Sequence, residues 1–316
     1  MFSERTRKII AFLRLMRVHR SIPTLLLILP PLILLFSEIF LKISQNPLSL
    51  QDIKAFPMIL LFFKILLGGF CVRSIGCILN DFFDQKFDAN SERTKLRPFV
   101  NDDENDFSLK PNDNIVIIGT LILVLISFSL MLSLKFGSII FCLISIPLII
   151  LYPLTKRFLA VPQVFLGFTY AMPILIIGFE INSSIKITHI ILYLACSVFT
   201  FVYDSIYAMQ DLNDDIKNEV NSAPVFLEKS FDFIISKAYN LSFIFFLIFG
   251  ILQDLSFGFY ICLAFSFIFT KYLIKDLNKK ENHELQKIFN YNSISLLLIL
   301  FGVIIDNLIN YFFLNI

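Results

Sequence analysis

Tyr203-Asp204-Ser205-Ile206-Tyr207-Ala208-Met209-Gln210-Asp211-Leu212-Asn213-Asp214-Asp215-Ile216-Lys217 closes an apolar stretch, 187–207, long enough to cross a bilayer. An ionisable group at membrane depth disfavours insertion by roughly 2.5–3.5 kcal/mol at a helix centre, so acids placed there point to a cation or substrate site. A second stretch is built the same way: apolar residues 57–79 run into Asn80-Asp81-Phe82-Phe83-Asp84-Gln85-Lys86-Phe87-Asp88. On a helix, Asp81, Asp84 and Asp88 share one face, and Arg73, Cys77, Asn80 and Asp84 carry that face deeper. Asp204, Tyr207, Asp211 and Asp215 make a matching stripe. Either stripe alone repels itself, and a multivalent cation between the two relieves both. Mg²⁺ takes carboxylate oxygens together with phosphate oxygens and water, so the pair reads as a divalent-metal and diphosphate site. Arg93, Lys95, Arg97, Lys156, Arg157 and Lys217 are near enough in sequence to hold the remaining phosphate oxygens.

The rest of the chain fits a membrane setting. Of its 316 residues, 57% are hydrophobic and 16% charged, and the mean hydropathy is +0.77, too apolar for an ordinary soluble domain. About nine stretches are long enough to span: 22–41, 57–79, 114–134, 136–154, 161–181, 187–207, 231–252, 255–274 and 291–314. Arg5, Arg7, Lys8, Arg14, Arg17 and Arg20 lead directly into the first span, unlike a cleavable signal peptide. Residues 1–21, with Ile9, Ile10, Phe12, Leu13 and Leu15 interleaved, read as a basic amphipathic helix on an anionic membrane face. Glu4 and the scarcity of Ser argue against a mitochondrial targeting peptide.

With a cytoplasmic N-terminus, that side collects these six bases, the cations around both acidic stretches, and Lys229, Lys237, Lys271, Lys275, Lys279, Lys280 and Lys287. The opposite side holds Lys42, Lys54, Lys135 and Lys186. The positive-inside rule therefore places both acidic stretches at the cytoplasmic face and, with an odd number of spans, the C-terminus outside. The net charge of +2 reflects this topology, and no nucleic-acid partner is expected. Cys71, Cys77, Cys142, Cys196 and Cys262 lack metal-ligand spacing and read as small core residues, and His19, His189 and His283 are scattered.

A single polytopic domain, 1–316, is expected. Its two long polar loops, 80–113 and 208–230, would cap the bundle, each beginning with an acidic stretch. Asp102, Asp103, Glu104, Asp106 and Asp113 read as a solvated surface. Because the acidic stretches follow the second and sixth spans, the fold class expected is an all-α membrane bundle of two related four-helix units plus one helix.

These residues carry a resemblance. Asn-Asp-x-x-Asp-x-x-x-Asp at 80–88, with Glu92-Arg93-Thr94 and Arg97-Pro98, resembles the first motif of the UbiA superfamily of intramembrane prenyltransferases. The stretch 203–217 resembles its second motif, in the Tyr-Asp-x-x-Tyr-Ala-Met-x-Asp form of the 4-hydroxybenzoate polyprenyltransferase branch, which serves ubiquinone synthesis. Arg14-Leu15-Met16-Arg17, Leu151-Tyr152-Pro153-Leu154-Thr155-Lys156-Arg157 and Pro162-Gln163-Val164-Phe165-Leu166-Gly167 agree with that branch.

The resemblance implies a nine-helix bundle around a central cavity open to lipid, in a bacterial inner membrane. It implies polyprenyl diphosphate held through Mg²⁺ by Asn80, Asp81, Asp84, Asp88, Asp211 and Asp215, the five aspartates being both metal ligands and the catalytic set. Arg73 would face the carboxylate of 4-hydroxybenzoate, Arg93, Lys156 and Lys217 would neutralise diphosphate, and Asp204 and Tyr207 would shape the acceptor side.

The chain also departs from the pattern. Two residues beyond Lys217, where the family usually has Gly followed by a Lys-Ser-Thr-Ala-like run, stand Glu219 and Asn221-Ser222-Ala223-Pro224. The Arg-Pro stretch continues Phe99-Val100-Asn101 in place of a short turn with Gly, and Trp is absent beside 38 Phe, as drift toward A+T-rich codons would produce. Three other readings stay open: a related enzyme with a different aromatic acceptor, an inactive homologue, and a cation-coupled transporter. Transporters place such acids near the bilayer midplane on broken helices, whereas these lie at span ends.

Overall fold

The computed structural model describes residues 3–45, 55–89, 94–101 and 107–314. Among these, thirteen α-helices follow in order: α1 (Glu4–Leu15), α2 (Ile22–Gln45), α3 (Ala55–Phe83), α4 (Gln85–Asp88), α5 (Asn114–Leu132), α6 (Phe136–Thr155) and α7 (Pro162–Asn182). Then come α8 (Ile187–Ala208), α9 (Leu212–Lys217), α10 (Ala223–Leu227), α11 (Phe231–Leu252), α12 (Phe257–Leu273) and α13 (Asn282–Leu314). Eight are long and apolar enough to cross a membrane; α12, at 17 residues, is the shorter apolar helix, so that measure supports eight spans where about nine were expected.

The last span begins at Asn282, well before the expected residue 291. Its first turns are polar, and Glu284 reaches back to accept from the backbone N–H of Glu281 at 3.0 Å, a start signal to which hydropathy is blind.

Burial is uneven across the bundle. α2, α8 and α13 are mostly enclosed, whereas α5 and α6 turn most of their apolar residues outward, as helices facing lipid do. At the centre, Phe199 of α8 meets Tyr203, Tyr239, Phe243 and Phe246 edge-on, with ring centroids 5.6–6.4 Å apart, tying α8 to α11. α7 and α8 approach closely at Gly167, where an added Cβ would lie 2.3 Å from the backbone oxygen of Ser197. α1 packs on α3 and α5 through Ala11 and Leu15 and leaves Ile9 and Leu13 exposed.

Polar side chains fasten the end of the bundle away from the acidic segments. Glu38 of α2, 2% exposed, accepts from Lys186 Nζ at 3.1 Å and Gln253 Nε2 at 3.4 Å, and lies 3.3 Å from His189 Nε2. The ends of α2, α8 and α11 are thereby joined. On α13, buried Asp306 accepts from Ser256 N at 2.8 Å, Ser256 Oγ at 2.5 Å and Phe259 N at 3.2 Å. It satisfies the free N–H groups that begin α12.

Two helices near the acidic segments end in the same way. After α1, Arg17 takes φ 56°, with Arg17 N donating to Arg14 O and Val18 N to Leu13 O. After α9, Glu219 takes φ 54°, with Glu219 N donating to Ile216 O and Val220 N to Asp215 O. Both are Schellman ends, whose left-handed residue is ordinarily Gly. Glu219 is also the position where the resemblance expects Gly, which the left-handed backbone explains.

Glu219→Gly should therefore stabilise the protein by roughly 1 kcal/mol, read as a higher melting temperature in detergent. Gly167→Ala should lower that temperature, at a cost of about 1–3 kcal/mol, because a backbone oxygen blocks the new methyl. Gly76→Ala, with nothing within 4 Å of the added carbon, should leave it unchanged or slightly raised.

Candidate active site

α3 ends at Phe83, Asp84 sits at a bend, and α4 resumes at Gln85. The helical stripe survives the bend, because Asp84 N donates to Asn80 O at 2.9 Å and Asp88 N to Asp84 O at 2.8 Å. Asp81, Asp84 and Asp88 are all buried. Each is matched to a base from elsewhere in the chain. Arg17 Nη2 donates to Asp81 Oδ1 at 2.6 Å, and Arg97 Nη1 donates to Asp81 Oδ1 at 3.1 Å and Asp88 Oδ2 at 2.5 Å. Asp84 Oδ2 accepts from Asn80 Nδ2 at 3.1 Å and faces Lys156 Nζ at 3.5 Å. Thr94 Oγ1 donates to the carbonyl of Asp88 at 3.0 Å and holds the loop against α4.

The charges adjust to this crowding. Burial pushes the Asp88 carboxyl above its ordinary range; Asp81 and Asp84 add to the rise and Arg97 opposes it. Burial alone would lower the Lys156 ammonium, but the carboxylates of Asp84 and Asp215 outweigh it and leave it raised. Arg17 behaves alike, with burial overcome by Asp81.

The second segment does not continue as one helix. α8 stops at Ala208, a 3₁₀ turn covers Met209–Asp211, and α9 follows. Beyond the turn lies a polar chamber of about 330 Å³ lined by Asn80, Asp84, Asp88, Thr94 and Arg97 on one side. Asp211, Asp214, Asp215, Asn218 and Glu219 line the other, with Lys156 and Arg157 beside them. The two acidic segments thus meet at one end of the bundle.

This chamber adjoins a larger one of about 1060 Å³, and the two share Asn80, Arg97, Lys156, Asp211, Asp215 and Val220. Its deeper walls are apolar, including Leu27, Ile28, Val124, Ile146 and Ile176. Its polar end presents Arg73, Tyr152, Tyr170, Tyr203, Asp204 and Tyr207. Arg73 donates to Cys77 Sγ and lies within hydrogen-bonding reach of Tyr170, while its buried Nε has no partner among the described residues. Phe289 of α13 packs against Tyr207 with the two rings tilted by 48° and their centroids 4.7 Å apart.

Of the residues expected from sequence, Arg73, Asn80, Lys156, Asp204, Tyr207, Asp211 and Asp215 line the larger chamber, and Asp84 and Asp88 the smaller. Asp81 and Lys217 line neither: Asp81 is enclosed by the two arginines, and Lys217 is exposed. Arg93 lies outside the described residues. Sequence reasoning did not single out Arg17, Tyr152, Tyr170 or Tyr203 as site residues. Arg17, Tyr152 and Tyr203 carried a signal in their place within stretches that resemble the family, whereas Tyr170 lay in none of them.

Residues 50–297 match the UbiA prenyltransferase family. A 4-hydroxybenzoate octaprenyltransferase of Blochmanniella pennsylvanica is 38% identical over 50% of this chain and 52% of its own length. Enzymes of the same description from Francisella tularensis subsp. novicida and Haemophilus ducreyi are 34% and 30% identical, over 84% and 83% of this chain and 88% of each relative. In fold, the chain resembles a UbiA homologue from Aeropyrum pernix K1, with a TM-score of 0.65, 18% identity, and 90% and 98% of the two chains covered. It also resembles a UbiA homologue from Archaeoglobus fulgidus bound to GPP and Mg²⁺, with a TM-score of 0.58, 14% identity, and 93% and 99% covered. The family match over most of the chain, the relatives at 30% identity and above, and a helical bundle with both motifs at one end have one reading: this chain belongs to the UbiA prenyltransferase family.

Proposed function

We propose that the chain transfers a polyprenyl group from polyprenyl diphosphate to the ring of 4-hydroxybenzoate, ortho to the phenol oxygen, in ubiquinone biosynthesis. The setting is a bacterial inner membrane with the site facing the cytoplasm, as the distribution of Lys and Arg favours. The observation that carries the reading is the polar chamber where carboxylates of both segments meet, joined to an apolar chamber large enough for a prenyl chain. The 4-hydroxybenzoate octaprenyltransferases among the relatives support the acceptor, and the neighbour bound to GPP and Mg²⁺ supports the donor and the ion.

The donor set fits Mg²⁺. Among the described residues no group of three or more His, Cys, Asp and Glu side chains is closed enough to hold a metal by itself. Mg²⁺ rarely uses such an all-protein cage; it keeps waters and takes one or two carboxylates plus substrate phosphate. Asn80, Asp84, Asp88, Asp211 and Asp215 offer hard oxygens around one small polar chamber. Bound there, the ion would supply positive charge to the diphosphate leaving group.

The chain's own residues do the rest. Lys156, Arg97 and Arg17 present fixed positive charge to the diphosphate as the allylic carbon–oxygen bond breaks and its electron pair leaves with the diphosphate. The π electrons of the ring carbon then form the new carbon–carbon bond, and loss of that carbon's proton restores aromaticity. Arg73, whose buried Nε–H has no partner among the described residues, is suited to the acceptor's carboxylate. Asp204 and Tyr207 bound the acceptor side, and the apolar walls keep water from the allylic cation.

Purified protein in detergent with Mg²⁺, a polyprenyl diphosphate and radiolabelled 4-hydroxybenzoate should yield lipid-extractable label. Asp84→Ala and Asp211→Ala should each lower the rate by at least about a hundredfold. Equal label without any divalent ion would contradict the reading. Arg73→Met should raise KM for 4-hydroxybenzoate by about tenfold and leave KM for the diphosphate unchanged.

A further inference from the structure

Asp81 occupies a motif position that resemblance would make a metal ligand, and its surroundings are unlike those of Asp84 and Asp88. Its side chain is 3% exposed and lines neither chamber, and a single oxygen, Oδ1, accepts from both Arg17 and Arg97. Both arginines do line the large chamber, and Arg97 also lines the small one. We infer that Asp81 is a positioning residue: its carboxylate holds the Arg17 and Arg97 guanidiniums at the junction of the two chambers, aimed at the diphosphate. This rests on the diphosphate site proposed above.

Electrostatics favours this division of labour. Two arginines converging on one point repel each other, and a shared carboxylate removes that repulsion. Drawing Asp81 onto a metal would break two buried charge-assisted contacts and take from Arg17 the carboxylate it donates to, while Arg97 would keep Asp88. Arg97 is braced also by Asp88 at 2.5 Å, so its single Nη1 bridges two carboxylates of the same segment. Arg17 comes from the other end of the sequence, and its backbone adopts the left-handed conformation at a helix end where glycine is the usual residue. A side chain is kept there against that preference, and it is the one that reaches Asp81.

The test uses full-length protein in detergent, with Mn²⁺ in place of Mg²⁺ and geranyl diphosphate as the probe. Mn²⁺ affinity is read by electron paramagnetic resonance, and KM is measured for each substrate. Asp81→Asn should raise KM for the diphosphate by about tenfold, the order of one lost charge-assisted hydrogen bond, while KM for 4-hydroxybenzoate and Mn²⁺ affinity stay unchanged. Asp84→Asn, the comparison, should weaken Mn²⁺ binding by more than about tenfold.

Mn²⁺ binding weakened as much by Asp81→Asn as by Asp84→Asn would overturn the inference, as would an equal rise in both KM values or no change in either. If Asp81→Asn fails to fold, the double variant Asp81→Asn with Arg17→Gly removes the charge and its partner together and carries the same expectations. Failure of the native chain to bind Mn²⁺ with geranyl diphosphate would count against the proposed function and not against this division of roles.

Discussion

Too many carboxylates share one end of an apolar bundle, and the structure around them is arranged to make that tolerable. Asp81, Asp84 and Asp88 are each buried, and Asp84 and Asp88 line one chamber of about 330 Å³ with Asp211, Asp214 and Asp215. Left alone, such a set would repel itself and take up protons; the Asp88 carboxyl is raised first by its burial, and Asp81 and Asp84 add to that rise. Relief comes from bases delivered by distant elements: Arg17 from the end of the N-terminal helix, Arg97 from the loop after α4, and Lys156 from the end of α6. The connections around the site are thereby drawn onto the first acidic segment by ion pairs whose partners lie up to 72 residues apart.

The same balance is what a diphosphate site requires. Charges that are pre-positioned and shielded from water need no reorganisation when negative charge builds on a leaving group. The larger chamber extends from this charged end between α2, α3, α5, α6 and α7, and its walls turn apolar with depth. A head group of one chemistry and a tail of another therefore have separate surroundings in one continuous space. At the far end of the bundle Glu38, Lys186, His189 and Gln253 bind α2, α8 and α11 into a polar knot, so the rigidity around the chamber is supplied from both ends.

Much of the plan was legible in the sequence. Membrane spans announce themselves by continuous apolar length, and the expected limits of α5, α6, α7 and α8 fall within two residues of the observed ones. The two acidic stretches were recognisable because charge at the end of such a span is costly. Pairings were not legible: nothing in Arg14-Leu15-Met16-Arg17 tells that Arg17 reaches Asp81, since that depends on a left-handed turn ending α1. The expected stripe Asp204, Tyr207, Asp211 and Asp215 does line one chamber, but helical spacing gave no sign of the 3₁₀ turn at Met209–Asp211 that interrupts it. Hydropathy also missed the polar opening of α13, because a cap at Glu281 and Glu284 begins a helix without an apolar residue.

The central claim is that two acidic segments, far apart in sequence, jointly hold one cation with one diphosphate. Mn²⁺ titration in the presence of geranyl diphosphate tests this most directly, comparing the native chain with Asp84→Asn, Asp211→Asn and the two combined. A shared site predicts that either change weakens the same tight binding and that the double variant loses little more. Two separate sites, each surviving intact when the other segment is altered, would contradict the account.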